Sequence, residues 1–198
     1  MKMLELKCQI NGKIISEPKL VADFGLTKIY EIIIENKRTS GKIDKIVVDF
    51  NSDICKKLKV GDYINVIGDV RSRRETINNY HITVIYISAD SINILDSEPK
   101  DYRNEVKGKG VLSKEIVYRA KSYSTNLIIG DMILKLVRSH NRLSYIYCSI
   151  WNDNVDKSRD FKKGDVIDIV GRLQSHERNN ILTSEVSIFK LRKVDTKE

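Results

Sequence analysis

The chain states one pattern twice. Ser144-Tyr-Ile-Tyr-Cys-Ser-Ile-Trp151 is followed by a polar stretch and then by Gly164-Asp-Val-Ile-Asp-Ile-Val-Gly-Arg-Leu-Gln-Ser175. Upstream, Ile43-Asp-Lys-Ile-Val-Val-Asp-Phe50 precedes Gly61-Asp-Tyr-Ile-Asn-Val-Ile-Gly-Asp-Val-Arg-Ser72. Placing Gly61 on Gly164 gives an offset of 103, Phe50 on Trp151 an offset of 101, and Gly12 on Gly110 an offset of 98. The offset grows along the chain, so the second copy carries small insertions, which belong in loops. A repeat of about a hundred residues is a whole domain rather than a solenoid unit. The 198 residues, 41% of them hydrophobic, are enough for two such cores.

Each copy reads as strands. In the first copy the apolar alternation or β-branched runs mark Leu4 to Ile15, Thr27 to Glu35, Ile43 to Phe50, Tyr63 to Val70 and Tyr80 to Ile94. Asn51-Ser-Asp53 offers an N-cap, and Asp53 to Lys59 forms a short helix that stops at Gly61. Arg71 to Asn79 reads as a charged loop. The second copy repeats the order, with strands at 104–112, 127–138, 144–151, 166–173 and 181–191 and the helix within 152–161. The polar stretch Asp96 to Arg103 carries one of two prolines and reads as a linker. The expected domains are 1–95 and 104–194, with 96–103 between them and 195–198 frayed.

Five strands with a short helix between strands three and four is the pattern of a small Greek-key barrel, the OB-fold. The expected class is all-β, with two tandem five-stranded OB barrels. A β-sandwich calls for about seven strands and no internal helix.

The motifs, in order, resemble the bacterial single-stranded DNA-binding proteins. The residues that carry the likeness are Tyr145-Ile-Tyr-Cys-Ser-Ile-Trp-Asn152, the Lys-Lys-Gly164-Asp165 turn, Val170-Gly-Arg-Leu-Gln-Ser175 and Ser184-Glu-Val-Ser187. The first copy matches through Gly61-Asp62, Val66-Ile-Gly68 and Arg71-Ser-Arg73. The resemblance implies a tandem-OB protein that binds and protects single-stranded DNA in replication, recombination and repair. It implies four barrels per assembly, hence a homodimer, in the cytoplasm at the nucleoid. The chain departs from the family in ending Leu191-Arg-Lys-Val-Asp-Thr-Lys-Glu198, where an acidic, apolar partner-recruiting tip is usual. It also has Ser175-His-Glu-Arg178 at the strand-four exit and Phe50 where the second copy has Trp151.

Binding of unpaired strands needs flat side chains for the bases and cations for the phosphates. By the resemblance the stacking residues are Trp151 and Tyr145, with Phe50 in the first copy; Tyr147 shares the face of Tyr145. In that alignment Asp44 takes the Tyr145 position. Core packing is the other reading of Trp151 and Phe50, since both close apolar strands. The phosphate candidates are Arg138, Arg142, Arg172 and Arg178 in the second copy, and Lys37, Arg38, Arg71, Arg73 and Arg74 in the first. The net charge of +8 suits a polyanion partner. Lys and Arg outnumber Asp and Glu by 15 to 13 in residues 1–97 and by 20 to 14 in 98–198, so the second copy is expected to dominate.

Catalysis finds no support. His81, His140 and His176 are scattered, and there is no phosphate-binding glycine loop and no metal spacing. No enzyme activity, cofactor or metal is expected. Cys8, Cys55 and Cys148 are odd in number and widely spaced, which argues against a disulfide framework. No apolar run reaches the roughly 20 residues of a membrane helix, and the N-terminus lacks an apolar signal core. Two other binding functions stay open: a protein-binding OB adaptor of a primosome-like assembly, and an RNA-binding OB protein.

Overall fold

A computed structural model describes residues 4–52, 57–77, 79–120, 128–138, 142–178 and 181–194. The protein is all-β among these residues, apart from one helix of five residues. It divides into two compact units. The first comprises Lys7–Glu105 together with Gln174–Ser184. The second is built on Val106–Leu173 and takes in residues 4–6 and the end of the chain from Glu185. Two stretches therefore cross a division made in simple chain order.

In the first unit the strands are β1 (Leu6–Ile14), β2 (Lys19–Asp23), β3 (Lys28–Lys37), β4 (Ile43–Asn51), β5 (Tyr63–Ile77) and β6 (Tyr80–Leu95). β1 pairs with both β3 and β5, β3 with β4, and β5 with β6, all antiparallel. β4 and β6 pair in parallel. These five strands form one pairing cycle. Inward side chains at every second position fill the core: Ile10, Ile14, Ile32, Ile34, Ile46, Val48, Ile64, Val66 and Ile87 are all buried.

The second copy has β7 (Asn104–Leu112), β8 (Val117–Ala120), β9 (Ile128–Val137), β10 (Leu143–Trp151), α1 (Asp153–Lys157), β11 (Val166–Arg178) and β12 (Ile181–Val194), of which residues 104–105, 174–178 and 181–184 fall in the first unit. β7 pairs with β9 and β11, β9 with β10, and β10 with β12 in parallel. β11 and β12 are also neighbours. The cycle is the same as in the first unit. The topology is consistent with the OB-fold.

The glycines explain why the motifs repeat. At Gly61 (φ 99°) and Gly164 (φ 98°) the chain takes a conformation that favours glycine. The hydrogen bonds around the two turns match one for one. Gly61 N donates to Ile14 O and Gly164 N to Leu112 O, both at 2.9 Å. The Asp62 carboxylate accepts from Lys59 N at 2.9 Å, and that of Asp165 from Lys162 N at 2.8 Å. Gly68 and Gly171 permit close strand approach: a Cβ on either would lie within 2.5 Å of a backbone oxygen, Ser88 O or Ser187 O.

The structure departs from the expected elements at three places. β2 and β8 are additional edge strands, paired to β3 and β9, in stretches where no strand was expected from sequence. The charged stretch Arg71 to Asn79 is not a loop through its length. β5 continues to Ile77, because its polar residues face the β-branched and aromatic residues of β6, as in Arg71 opposite Tyr86, Arg73 opposite Val84 and Glu75 opposite Ile82. The ribbon turns next to Asn79 (φ 65°), a residue that tolerates the left-handed region. Residues 53–56 of the helix expected at 53–59, and the frayed end at 195–198, lie outside the described residues.

The third departure concerns the site. β3 pairs Ile29 with Asn51, and β9 pairs Ile129 with Trp151. The strand-three offset is therefore 100, not 101. Because side chains alternate between faces, a slip of one residue exchanges every inward position for an outward one. Ile46, Val48 and Phe50 are the buried counterparts of Ile146, Cys148 and Ile150. The counterparts of Tyr145, Tyr147, Ser149 and Trp151 are Lys45, Val47, Asp49 and Asn51.

Candidate nucleic-acid interface

β10 is positioned by pairing on both edges, with β9 and β12. Its inward residues Ser144, Ile146, Cys148 and Ile150 are buried, which fixes the opposite parity outward. Tyr145 and Tyr147 are 44% and 45% exposed, and Trp151, on the same face, is partly exposed. Three of the four stacking residues expected from sequence thus line one face of one strand. The Trp151 ring is oriented by a short chain of hydrogen bonds. Its Nε1 donates to Ser149 Oγ at 3.3 Å, and Ser149 Oγ donates to Glu185 Oε1 at 2.8 Å.

Phe189 of β12, which sequence reasoning missed, extends this set. It is 49% exposed and lines a recess of about 350 Å³ with Trp151, Ile188, Asn154 and Lys157. The Arg172 guanidinium lies 5.5 Å from the centre of the Phe189 ring. The signal was the alternation along β12: Val186 and Ile188 are buried, which sends Glu185 and Phe189 outward. Lys135, also missed, pairs opposite Tyr145.

The basic candidates of the second copy whose side chains are described, Arg138, Arg142 and Arg172, remain near solvent. Arg142 is exposed, and Arg138 is partly exposed, its backbone N donating to Arg142 O at 2.9 Å. Arg172 is partly exposed. Arg178 ends β11, and its side chain lies outside the described residues. One acid on the sheet, Asp131, is neutralised by Arg119, with nitrogens at 2.5 and 3.1 Å from its two oxygens.

The first unit is arranged differently. Phe50 is 3% exposed, with Tyr30 stacked on it at a centroid distance of 6.1 Å. Its inward parity makes it a core residue, and it presents no open ring face to a base. Asp44 is inward too, so it does not replace Tyr145. It is fully buried and holds Arg38 through two hydrogen bonds of 2.6 and 2.5 Å, and it accepts Ser175 N at 2.9 Å. That pairing raises the Arg38 pKa. Arg71 is tied to Asp69 at 3.0 Å. Burial alone would raise the Asp69 carboxyl, but the Lys7 and Arg71 cations outweigh it and hold the group below its ordinary value.

Arg73 is enclosed. Its NH1 donates to Asp49 at 2.6 Å, its NH2 to Glu31 and its Nε to Glu75, and its guanidinium lies 4.6 Å from the centre of the Tyr86 ring. Burial opposes its charge, but the carboxylates of Glu75 and Asp49 outweigh burial and raise its pKa. Only Arg74 and Lys37 among the first-unit candidates are exposed.

Among the described residues no cluster of His, Cys, Asp or Glu could hold a metal ion. No helix there is long and apolar enough to cross a membrane. The outer face of β10 offers two rings two residues apart, Tyr145 and Tyr147, and a third four residues further on, Trp151, with cations at its margins. Chemically it can stack flat, unpaired rings and neutralise anions beside them.

No protein-family model matches this sequence, and no curated protein sequence matches it. Solved structures do. The wild-type single-stranded DNA binding protein from Thermus aquaticus superposes with a TM-score of 0.78 at 16% identity, covering 98% of this chain and 94% of that one. A deletion mutant of the same Thermus aquaticus protein gives a TM-score of 0.77 at 16% identity, covering 98% and 96%. Over almost its whole length, this chain has the fold of that single-stranded DNA binding protein.

Proposed function

We propose that the protein is built of two tandem five-stranded OB barrels and binds single-stranded DNA without sequence preference. The observation that carries this reading is the row Tyr145, Tyr147 and Trp151 on the outward face of β10, the tyrosines nearly half-exposed and Trp151 partly exposed, with Arg138 and Arg142 at the start of the strand and Arg172 over Phe189. The core gives no packing reason to hold three aromatics on an outward face, whereas each base stacked on a ring contributes about 1–3 kcal/mol. The full-length likeness in fold to the Thermus aquaticus protein supports the same reading. The strand is held by stacking, with phosphates met by the marginal arginines, so affinity falls as salt rises. A dimer would bring four barrels together, and the role is protection of exposed strands in replication, recombination and repair in the cytoplasm.

Fluorescence anisotropy with labelled oligo-dT tests this. Tyr145→Ala with Trp151→Ala should weaken binding at least tenfold without changing the unfolding midpoint by more than a few degrees. Unchanged affinity would remove the proposed site.

A protein-binding adaptor is the second reading. It is favoured by Leu20, Phe24 and Leu26, apolar and exposed around the β2–β3 turn. It predicts no preference for single strands over duplex. Oligo-rU in the same titration separates an RNA-binding function from a DNA-binding one.

A further inference from the structure

We infer that the β4 face of the first unit excludes nucleic acid, so that each chain holds its strand on the second unit alone. This rests on the single-stranded DNA reading and specifies which surface serves it.

Three observations converge. First, the outward positions of β4 are Lys45, Val47, Asp49 and Asn51, where β10 has Tyr145, Tyr147, Ser149 and Trp151. None of the four offers a ring to a base. Second, the start of this face is already occupied within the unit. Lys45 N donates to Ser175 Oγ at 2.9 Å, and Lys45 Nζ meets Glu177 at 3.1 Å. Third, the cation nearest its middle is spent internally. Glu31 of β3, Asp49 of β4 and Glu75 of β5 surround Arg73 and take all three of its nitrogens. Three carboxylates against one guanidinium are a formal excess of two acids beside this face, with burial raising the Asp49 carboxyl. Like charges at short range repel, and water is partly excluded here: the side chains of Asp49 and Glu31 are only 10% and 20% exposed. The counterparts of Asp49 and Glu31 in the second unit are Ser149, which is uncharged, and Asp131, which Arg119 neutralises. The cage is thus peculiar to the first unit.

The residues act as a specificity filter. Neutralising the rim acids should open the face and release Arg73. In the full-length chain, Glu31→Gln with Glu75→Gln is expected to raise affinity for a long oligo-dT several-fold and to steepen its salt dependence by about one phosphate contact. Arg73→Gln should leave affinity within twofold of wild type. Photo-cross-linking of the wild-type protein to 4-thiothymidine oligomers needs no variant to fold, and should mark peptides carrying Tyr145–Trp151 and none carrying Lys45–Asn51. Cross-links on 45–51, or a tenfold loss with Arg73→Gln in a folded protein, would overturn the inference while leaving DNA binding intact. No binding of any single strand by the wild type would instead defeat the proposed function, and this inference with it.

Discussion

Phe50 and Trp151 end corresponding strands, yet the register gives them opposite duties, and mutation separates the two. Phe50 faces the core at 3% exposure and is stacked against Tyr30. Truncating a buried Phe to Ala costs about 3–5 kcal/mol, through lost transfer energy and the cavity left behind. That is a large part of the roughly 5–15 kcal/mol that holds a domain folded, so Phe50→Ala risks unfolding the unit. Phe50→Leu is the better probe. Removing part of the ring volume while keeping an apolar side chain costs roughly 1–2 kcal/mol, and each kcal/mol lowers the melting temperature of a unit of about a hundred residues by some 4–8 °C. DNA affinity should not change. Trp151→Ala should do the reverse. Losing a stacked base, about 1–3 kcal/mol, weakens oligo-dT binding by about fivefold to over a hundredfold. Thermal unfolding by circular dichroism and oligo-dT anisotropy on the same preparations provide both readings. If Phe50→Leu weakened binding fivefold or more with an unchanged melting temperature, the assigned register would be wrong.

Other perturbations test the fold. Asp44→Ala leaves the Arg38 guanidinium and Ser175 N without their acceptor; breaking a buried pair costs about 3–5 kcal/mol, and partial exposure of Arg38 places this one near the lower figure, measurable by urea unfolding. Gly68→Ala and Gly171→Ala each drive a Cβ into a neighbouring backbone oxygen and should lower the melting temperature more than Gly25→Ala, which meets no neighbouring atom and carries only the backbone strain of its φ of 77°. Burial pushes the Cys8 thiol up to about 12 and raises that of Cys148 as well, so at pH 8 neither should be alkylated until the protein unfolds, as mass spectrometry of maleimide-treated protein would report. Rapid labelling of the folded protein at Cys8 or Cys148 would contradict their burial.

Much of the fold was legible because the repeat is written in residues with fixed local consequences. The two Gly-Asp turns form matching hydrogen bonds, and Gly68 and Gly171 mark the same close approach. The strand positions followed from alternation. The register of strand three did not, because Phe50 was matched to Trp151 by residue type. Parity along Ile46, Val48 and Phe50 against Ile146, Cys148 and Ile150 was the better guide. The enclosure of Arg73 was beyond reach, since its partners Glu31 and Asp49 come from other strands and only register brings them together. Arg71, Arg73 and Arg74 read as one basic cluster in sequence, but successive residues of a strand face opposite ways and meet different neighbours. Phe189 escaped notice because a lone aromatic near a strand end has no sequence partner.

The central claim is that the outer face of β10 stacks unpaired bases. The direct test follows the fluorescence of Trp151, the only tryptophan, while full-length protein is titrated with oligo-dT and with a duplex of equal length at two salt concentrations. The account predicts strong quenching by the single strand, little by the duplex, and affinity that falls as salt rises. Tight binding of oligo-dT with no change in Trp151 emission would contradict it.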